Sequence, residues 1–261
     1  KKPIILIDEY DTPMLSAWTN GIWDDCSKYM RSLFNAAFKT NTCYTKVLIT
    51  GISRISKESF FSDLNNLSVY SVSSDKYSTY FGFTEDEVVE ALVHQKLDTF
   101  DEVKSWYDGF TFGNSTDIYN PWSIPTYLAS RKFATYWAHS ASNALLQQIF
   151  RGSGEYTKKL LEDLIAGKTI TCKIKEDFTF SRIEDNLNDA LSLLLCSGYL
   201  KIVNIDEDFK YEMKITNKEV EIIFNEMIEE WFKYKPFYNE FIEALLSDDV
   251  DSMNIYLTRL M

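Results

Sequence analysis

Four large apolar residues in succession, Ile4-Ile5-Leu6-Ile7, stand between Lys1-Lys2-Pro3 and the acidic turn Asp8 to Asp11. An unbroken apolar run of this length predicts a strand buried on both faces, as in the middle of a helix-covered parallel sheet. Such a strand needs neighbours, so further residues are expected upstream of Lys1, and Met261 reads as a second abrupt boundary. Thr12-Pro13 can open a short helix or turn, and Asn20-Gly21 marks a loop. Residues 24–39 place Tyr29, Leu33, Phe34, Ala37 and Phe38 on one helical face, with Asp24 or Asp25 suited to cap it. Thr45 to Thr50 holds the apolar run Val47-Leu48-Ile49 and predicts a second buried strand. Strand, helix, strand in this order is a parallel crossover unit. A short helix with Phe60, Phe61 and Leu64 is then expected up to Asn66, followed by a strand at Val69 to Val72.

The pattern changes near Phe81-Gly82-Phe83. Thr84 followed by Glu87, ahead of Val88, Val89, Leu92 and Val93, has the spacing of a helix-capping box. A helix over 99–107 leads into a loop dense in aromatics, Trp106 to Gly113, and then Tyr119-Asn120-Pro121-Trp122-Ser123. So many rings are expected beneath a helix in a core, with a ligand- or partner-binding face as the alternative. Residues 135–164 read as mostly helical with an interruption at Gly152-Ser153-Gly154, and 170–180 as a strand pair or extended arm. A helix over 184–197 ends at Gly198, a residue suited to a C-terminal cap. Tyr199 to Ile205 and Phe209 to Ile215 form a hairpin around Asp206-Glu207-Asp208. Helix followed by a two-stranded wing is the outline of a winged-helix module. An amphipathic helix at 218–232, with Val220, Ile223, Phe224, Met227 and Trp231 on one face, precedes two shorter helices after Pro236.

With 45% hydrophobic and 25% charged residues, including 18 Phe, 16 Tyr and 6 Trp, the 261-residue chain has ample material for packed cores. The net charge of −12 is uneven. Residues 1–80 carry nine basic and eight acidic side chains, leaving 18 and 31 on the remainder, so a polyanion would approach the first part more easily. Cys26, Cys43, Cys172 and Cys196 form no CxxC pair and, with only His94 and His139, no zinc spacing, so buried thiols in a cytoplasmic protein are expected. No apolar stretch is long enough to span a bilayer and no secretory leader is recognisable, so no membrane partner is expected.

The acidic turn carries the candidate chemistry. An apolar strand delivering Asp8 and Glu9 at its carboxyl end puts both acids where ligands sit in open α/β sheets. In phosphoryl transfer one acid can hold magnesium and the next can orient or deprotonate the attacking water. Two other readings stand beside this one: a pair of acids solvated at a strand end, and a divalent-metal cluster of Asp8, Glu9 and Asp11. The phosphate-binding loop is absent from these residues. Gly167-Lys168-Thr169 would need its first glycine at position 162, which is Glu162, and it follows a helix instead of a strand. It reads as an ordinary helix end.

Together, Ile5 to Pro13, the Leu48-Ile49-Thr50-Gly51-Ile52-Ser53-Arg54 segment, Phe81 to Thr84, Trp106 to Phe110 and Tyr119 to Ser123 resemble the predicted AAA-ATPase-like proteins of gut and other anaerobic bacteria. The resemblance implies a P-loop ATPase core, then a winged-helix-like region, and often a PD-(D/E)XK nuclease-like domain. It casts Asp8 as the magnesium-side acid and Glu9 as the water-activating acid. It also places Thr50 and Ser53 where a polar sensor of the nucleotide sits, with Arg54 facing phosphate or pinning a loop. The late chain has no Asp followed by Glu-x-Lys that a nuclease would need.

The expected fold class is therefore α/β: a partial P-loop sheet in 1–80, a helical region with aromatic loops in 81–154, a winged-helix-like module in 155–235 and C-terminal helices in 236–261. The expected function is magnesium-dependent ATP hydrolysis in an intact parent protein, driving or regulating an attached module, with ATP and Mg as its cofactors and little activity in these 261 residues alone. The alternative is an interaction scaffold with a degenerate ATPase core. Lys158, Lys159, Lys168, Lys173, Lys175 and Arg182 could favour nucleic acid, but they are interleaved with acids, which favours a protein partner or self-association.

Overall fold

The computed structural model describes residues 2–52, 54–55, 67–137, 155–174, 177–178, 186–233, 244, 247 and 249–260. The chain opens with β1 (Ile4–Ile7), α1 (Thr12–Thr19), α2 (Trp23–Phe38) and β2 (Lys46–Ile49). β1 and β2 pair in parallel, Ile5 opposite Val47 and Ile7 opposite Ile49, as the crossover reading requires. Pro13 lies in the first turn of α1, where its missing N–H costs no helical bond.

One expectation about β1 fails. Ile5, Ile7, Val47 and Ile49 pack onto the core, but Ile4, Leu6 and Leu48 are 62%, 73% and 59% exposed. Successive strand side chains point to opposite faces, and among the described residues only one face of this two-stranded sheet is covered. The apolar run reports the composition of both faces, not their cover. The face predicted for α2 is also narrower than expected. Phe34 and Phe38 are buried, Ala37 packs against the core, and Tyr29 and Leu33 are exposed. Ile22 occupies the cap position of α2, so Asp24 and Asp25 fall in its first turn, where their charge still favours the helix N-terminus.

β3 (Arg54–Ile55) follows, and the short helix expected before Asn66 lies outside the described residues. Val69 to Val72 forms no strand: the segment is a loop whose rings pair locally, Tyr70 edge-on to Tyr77 at 4.9 Å.

The next unit comprises β4 (Phe83–Thr84), α3 (Glu85–Gln95), α4 (Phe100–Tyr107), β5 (Phe110–Phe112), β6 (Ser115–Tyr119) and α5 (Ser123–Ser130). The capping box forms as read. Thr84 Oγ1 accepts from the Glu87 N–H, and Glu87 Oε2 accepts from the Thr84 N–H at 2.8 Å. The aromatic loops serve a core. Tyr107, Tyr119 and Tyr127 are buried with Val88, Val103 and Ile124, and Phe133 stacks on Tyr127 at 4.6 Å. The Tyr107 hydroxyl donates to the Ala134 carbonyl at 3.1 Å. Trp122 alone of this aromatic set projects well into solvent.

The described part of the predicted helix over 135–164 is α6 (Glu155–Ile165), and residues 133–137 are irregular. Then come β7 (Ile170–Cys172), β8 (Asp177–Phe178), α7 (Leu187–Cys196), β9 (Leu200–Ile205), β10 (Tyr211–Ile215), α8 (Lys218–Lys233) and α9 (Val250–Leu260). β9 and β10 form the expected antiparallel hairpin and β7 pairs on the other side of β10, giving the order β7-β10-β9. Gly198 has φ 80°, the left-handed conformation its capping role demands. A second hydrophobic core joins Tyr10, Met14, Phe34 and Phe38 to Leu161, Leu194, Tyr199, Met213 and Phe224. The acidic turn is thus anchored on packing that includes α6, α7 and α8. Among the described residues no helix is long and apolar enough to cross a membrane.

Candidate functional site

The strand-end turn is built by β1 and β2 together. Tyr10 N–H donates to the Thr50 carbonyl at 3.0 Å and Thr50 N–H to the Ile7 carbonyl at 2.9 Å, so the parallel pairing extends into the turn. Glu9 then takes φ 49°, a left-handed conformation uncommon outside glycine. That reversal lets two adjacent acids leave the strand end in different directions. Asp8 Oδ1 accepts from the Thr50 hydroxyl and, at 3.1 Å, from the Glu9 N–H. Glu9 Oε2 accepts from the Thr12 hydroxyl at 3.1 Å. Both acids are exposed, each with one carboxylate oxygen engaged by a hydroxyl of a different element.

Tyr10 and Asp11 play another part. Both are buried, and Tyr10 packs edge-on to Phe34 at 6.2 Å. Asp11 occupies the cap position of α1. They close over Gly51, where an added Cβ would sit 2.6 Å from Tyr10 Cε1 and 2.7 Å from Asp11 Oδ1. Among the described residues no group of three His, Cys, Asp or Glu side chains could hold a metal ion. Asp8, Glu9 and Asp11 do not form the carboxylate cluster considered above: Asp11 is buried with its Oδ1 against Gly51, whereas Asp8 and Glu9 are exposed. Gly51→Ala should destabilise the protein by about 1–3 kcal/mol through overpacking against a ring fixed in the core. The check is the chemical-denaturation midpoint; an unchanged midpoint would mean that Tyr10 can give way.

Residues 1–61 match the family model described as predicted AAA-ATPase. The matched segment contains the whole acidic turn, both parallel strands and Thr50, and it supports the resemblance read from the motifs. A protein of Azotobacter chroococcum mcd 1, described as an uncharacterized protein in the vnfD 5′ region, is 27% identical over 234 residues. That alignment covers 87% of this chain and 43% of the relative, so the chain spans less than half the length of the curated protein it matches. No solved structure matches the chain.

Of the residues singled out from sequence, Asp8, Glu9 and Thr50 are brought together. Ser53 lies outside the described residues. Arg54 is placed by its backbone alone, in β3, which pairs in parallel with β8 so that Arg54 lies opposite Asp177. Gly167-Lys168-Thr169 is a helix end, as read: Gly167 has φ 75°, Lys168 pairs with Asp163, and Thr169 donates to Glu212 at 2.7 Å.

A second polar constellation escapes the sequence reading. Lys104 bridges Glu85 and Asp117, the latter at 3.0 Å, and the Tyr119 hydroxyl donates to Glu85 at 3.2 Å. Beside them Asp108 is only 7% exposed. Burial, reinforced by the negative charge of Asp117, pushes its carboxyl up to about 6 against the pull of Lys201 and the Gly109 N–H. Burial likewise holds the Lys201 ammonium below its usual range. The signal that could have found Asp108 is its setting: an Asp-Gly flanked on both sides by aromatics is a poor place to solvate a charge.

Proposed function

We propose that Asp8 and Glu9 are the acidic half of a nucleotide-hydrolysing site whose phosphate cradle comes from outside these 261 residues. The observation that carries this is the joint placement of both acids at the carboxyl end of a parallel strand pair with the Thr50 hydroxyl bonded to Asp8. Magnesium held jointly with nucleotide phosphates needs only one or two protein carboxylates, with water completing its shell. Asp8 fits that donor set, and a metal held by protein side chains alone would not be satisfied here. When bound, magnesium and nucleotide would supply charge neutralisation and the electrophilic phosphorus. Thr50 holds Asp8 in place, and Glu9, held by Thr12, is the group positioned to take a proton from water. Ser53 and Arg54 follow the same strand end in sequence and complete the proposal, Ser53 with Thr50 as the polar sensor of the nucleotide and Arg54 as a phosphate-facing residue.

In the full-length parent protein, Glu9→Gln should lower ATP turnover by about 100-fold or more while ATP binding survives, the loss expected for a general base. Thr50→Val should lower turnover less, by misorienting Asp8. Steady-state turnover alongside equilibrium nucleotide binding checks both. Wild-type turnover in Glu9→Gln would remove Glu9 from the chemistry.

The attached module supports a second, compatible reading. Strand order β7-β10-β9 with α7 preceding the hairpin is consistent with a winged-helix-like arrangement. Duplex recognition by such modules places a helix in the major groove. Here α7 is buried from Asp189 through Leu195 and has no face to offer a groove. The arrangement therefore favours a structural or protein-contacting module over a nucleic-acid reader.

A further inference from the structure

The C-terminal end of α4, the end of α6, β9, β10 and the first turn of α8 surround an open cleft of about 480 Å³. Its size is within the range of small-molecule sites, roughly 300–1,000 Å³. Four lysines line it, Lys104, Lys201, Lys214 and Lys218, against two acids, Asp108 and Glu221. This convergence occurs in the part of the chain that carries the whole excess of negative charge. Lys104 is already neutralised by Glu85 and Asp117, and Lys218 lies 4.8 Å above the Trp106 ring. Lys201 and Lys214 are different. Burial makes the charge of Lys201 costly, repulsion from Lys214 adds to that cost, and attraction to Asp108 and Asp117 offsets it only in part. A bound anion would relieve both costs.

The floor carries the second observation. Asp108 lines the cleft, and its Oδ1 is buried without a hydrogen-bond partner. An orphaned buried carboxylate oxygen is costly and calls for a donor. The backbone around it is tightly fixed. Gly109 has φ 124°, and an added Cβ there would meet the Thr216 carbonyl at 2.4 Å and Lys201 Nζ at 3.0 Å. Asn217 Nδ2 donates to the Asp108 carbonyl at 2.9 Å. Lys201 and Asp108 are therefore held on a common floor while Lys214 and Lys218 are exposed at the rim.

We propose that this cleft binds a small phosphate monoester bearing a hydroxyl group, the phosphate held between Lys201 and Lys214 and the hydroxyl donating to Asp108. No residue of the acidic turn lines the cleft, so the proposal does not rest on the nucleotide reading. Inorganic phosphate, ribose and ribose 5-phosphate separate its two halves, with binding to the full chain followed by calorimetry. Ribose 5-phosphate should bind more tightly than inorganic phosphate, and free ribose should not bind measurably. Lys214→Gln, at an exposed position that leaves the fold intact, and Lys201→Met should each weaken both phosphate-bearing probes about tenfold or more. Asp108→Asn should weaken ribose 5-phosphate about tenfold without weakening inorganic phosphate. Asp8→Asn and Glu9→Gln should leave all of these affinities unchanged. Failure of both phosphate-bearing probes to bind at millimolar concentration would overturn the proposal. So would undiminished binding in Lys214→Gln.

Discussion

Glu219→Ala is expected to cost the fold about 3–5 kcal/mol, the range for a buried cavity combined with orphaned hydrogen-bond donors. Glu219 is in the first turn of α8 and is fully buried. Its two carboxylate oxygens gather donors from separate parts of the chain. Oε2 accepts from Ser123 Oγ at 2.8 Å, and Oε1 accepts from the Trp137 N–H at 2.6 Å. Ser123 is itself fully buried at the start of α5. Burial raises the proton affinity of Glu219, and the donors from Trp137, Ser123 and Tyr136 counter that rise. Alanine would leave a void beside two orphaned donors, each costing about 1–3 kcal/mol when unpaired. Gln should cost less, about 1–2 kcal/mol, because it keeps one acceptor oxygen in the same volume. Urea denaturation of Glu219→Ala, Ser123→Ala and the double variant checks the coupling. Purely additive losses would show that the Ser123 contact contributes nothing beyond packing.

Glu219 also marks where the sequence stops being legible. Its helix was readable from the spacing of Val220, Ile223 and Phe224, all buried. Within that pattern an acid in the first turn reads as a solvated residue complementing the helix N-terminus. Only the return of Ser123 and Trp137 from far along the chain reverses that. Local devices were readable because their physics is local: the Thr84–Glu87 capping box, Pro13 in the first turn of α1, and the left-handed Gly167 and Gly198 at helix ends. Pairing between distant segments was partly readable. The β1–β2 crossover and the β9–β10 hairpin follow from element order, whereas the placement of β7 beside β10 does not.

The same divide runs through the candidate site. Asp8 and Glu9 were visible because an apolar strand ending in two acids is a sequence feature. Thr50 was singled out only through a family resemblance, and its hydroxyl donates to Asp8. Leu6 and Leu48 show the converse limit. Hydrophobicity states what a side chain would prefer to bury, and the cover it receives depends on elements elsewhere. Val69 to Val72 failed as a strand for a related reason. Among the described residues the segment has no partner strand to hold it extended: the Val72 carbonyl accepts from the Gly113 N–H at 2.8 Å, and Tyr70 is engaged by Lys76 and Tyr77 within its own loop.

Asp108 supplies the remaining large effect, and its sign is fixed by its environment. Its carboxyl is raised in the folded protein to about 6, first by burial and then by Asp117, from an ordinary value near 4. The fold therefore holds the proton more tightly than the unfolded chain does. The corresponding stability is fully present below about pH 4 and is lost as pH rises through about 6. A shift of this size is worth at most about 3 kcal/mol. Asn has the same shape and no charge to desolvate, so Asp108→Asn should gain on the wild type as pH rises from 4 to 7, with the difference level above that. Carboxylates common to both proteins cancel in the comparison, which makes the difference between their urea midpoints at several pH values the quantity to measure. Lys201→Met removes the main attraction that keeps the charged form tolerable, and it should carry the decline to higher pH and deepen it. If instead the wild type gained on Asp108→Asn with rising pH, attraction to Lys201 would outweigh burial. Asp108 would then act as a fixed anion of the cleft, poorly suited to share its floor with a phosphate.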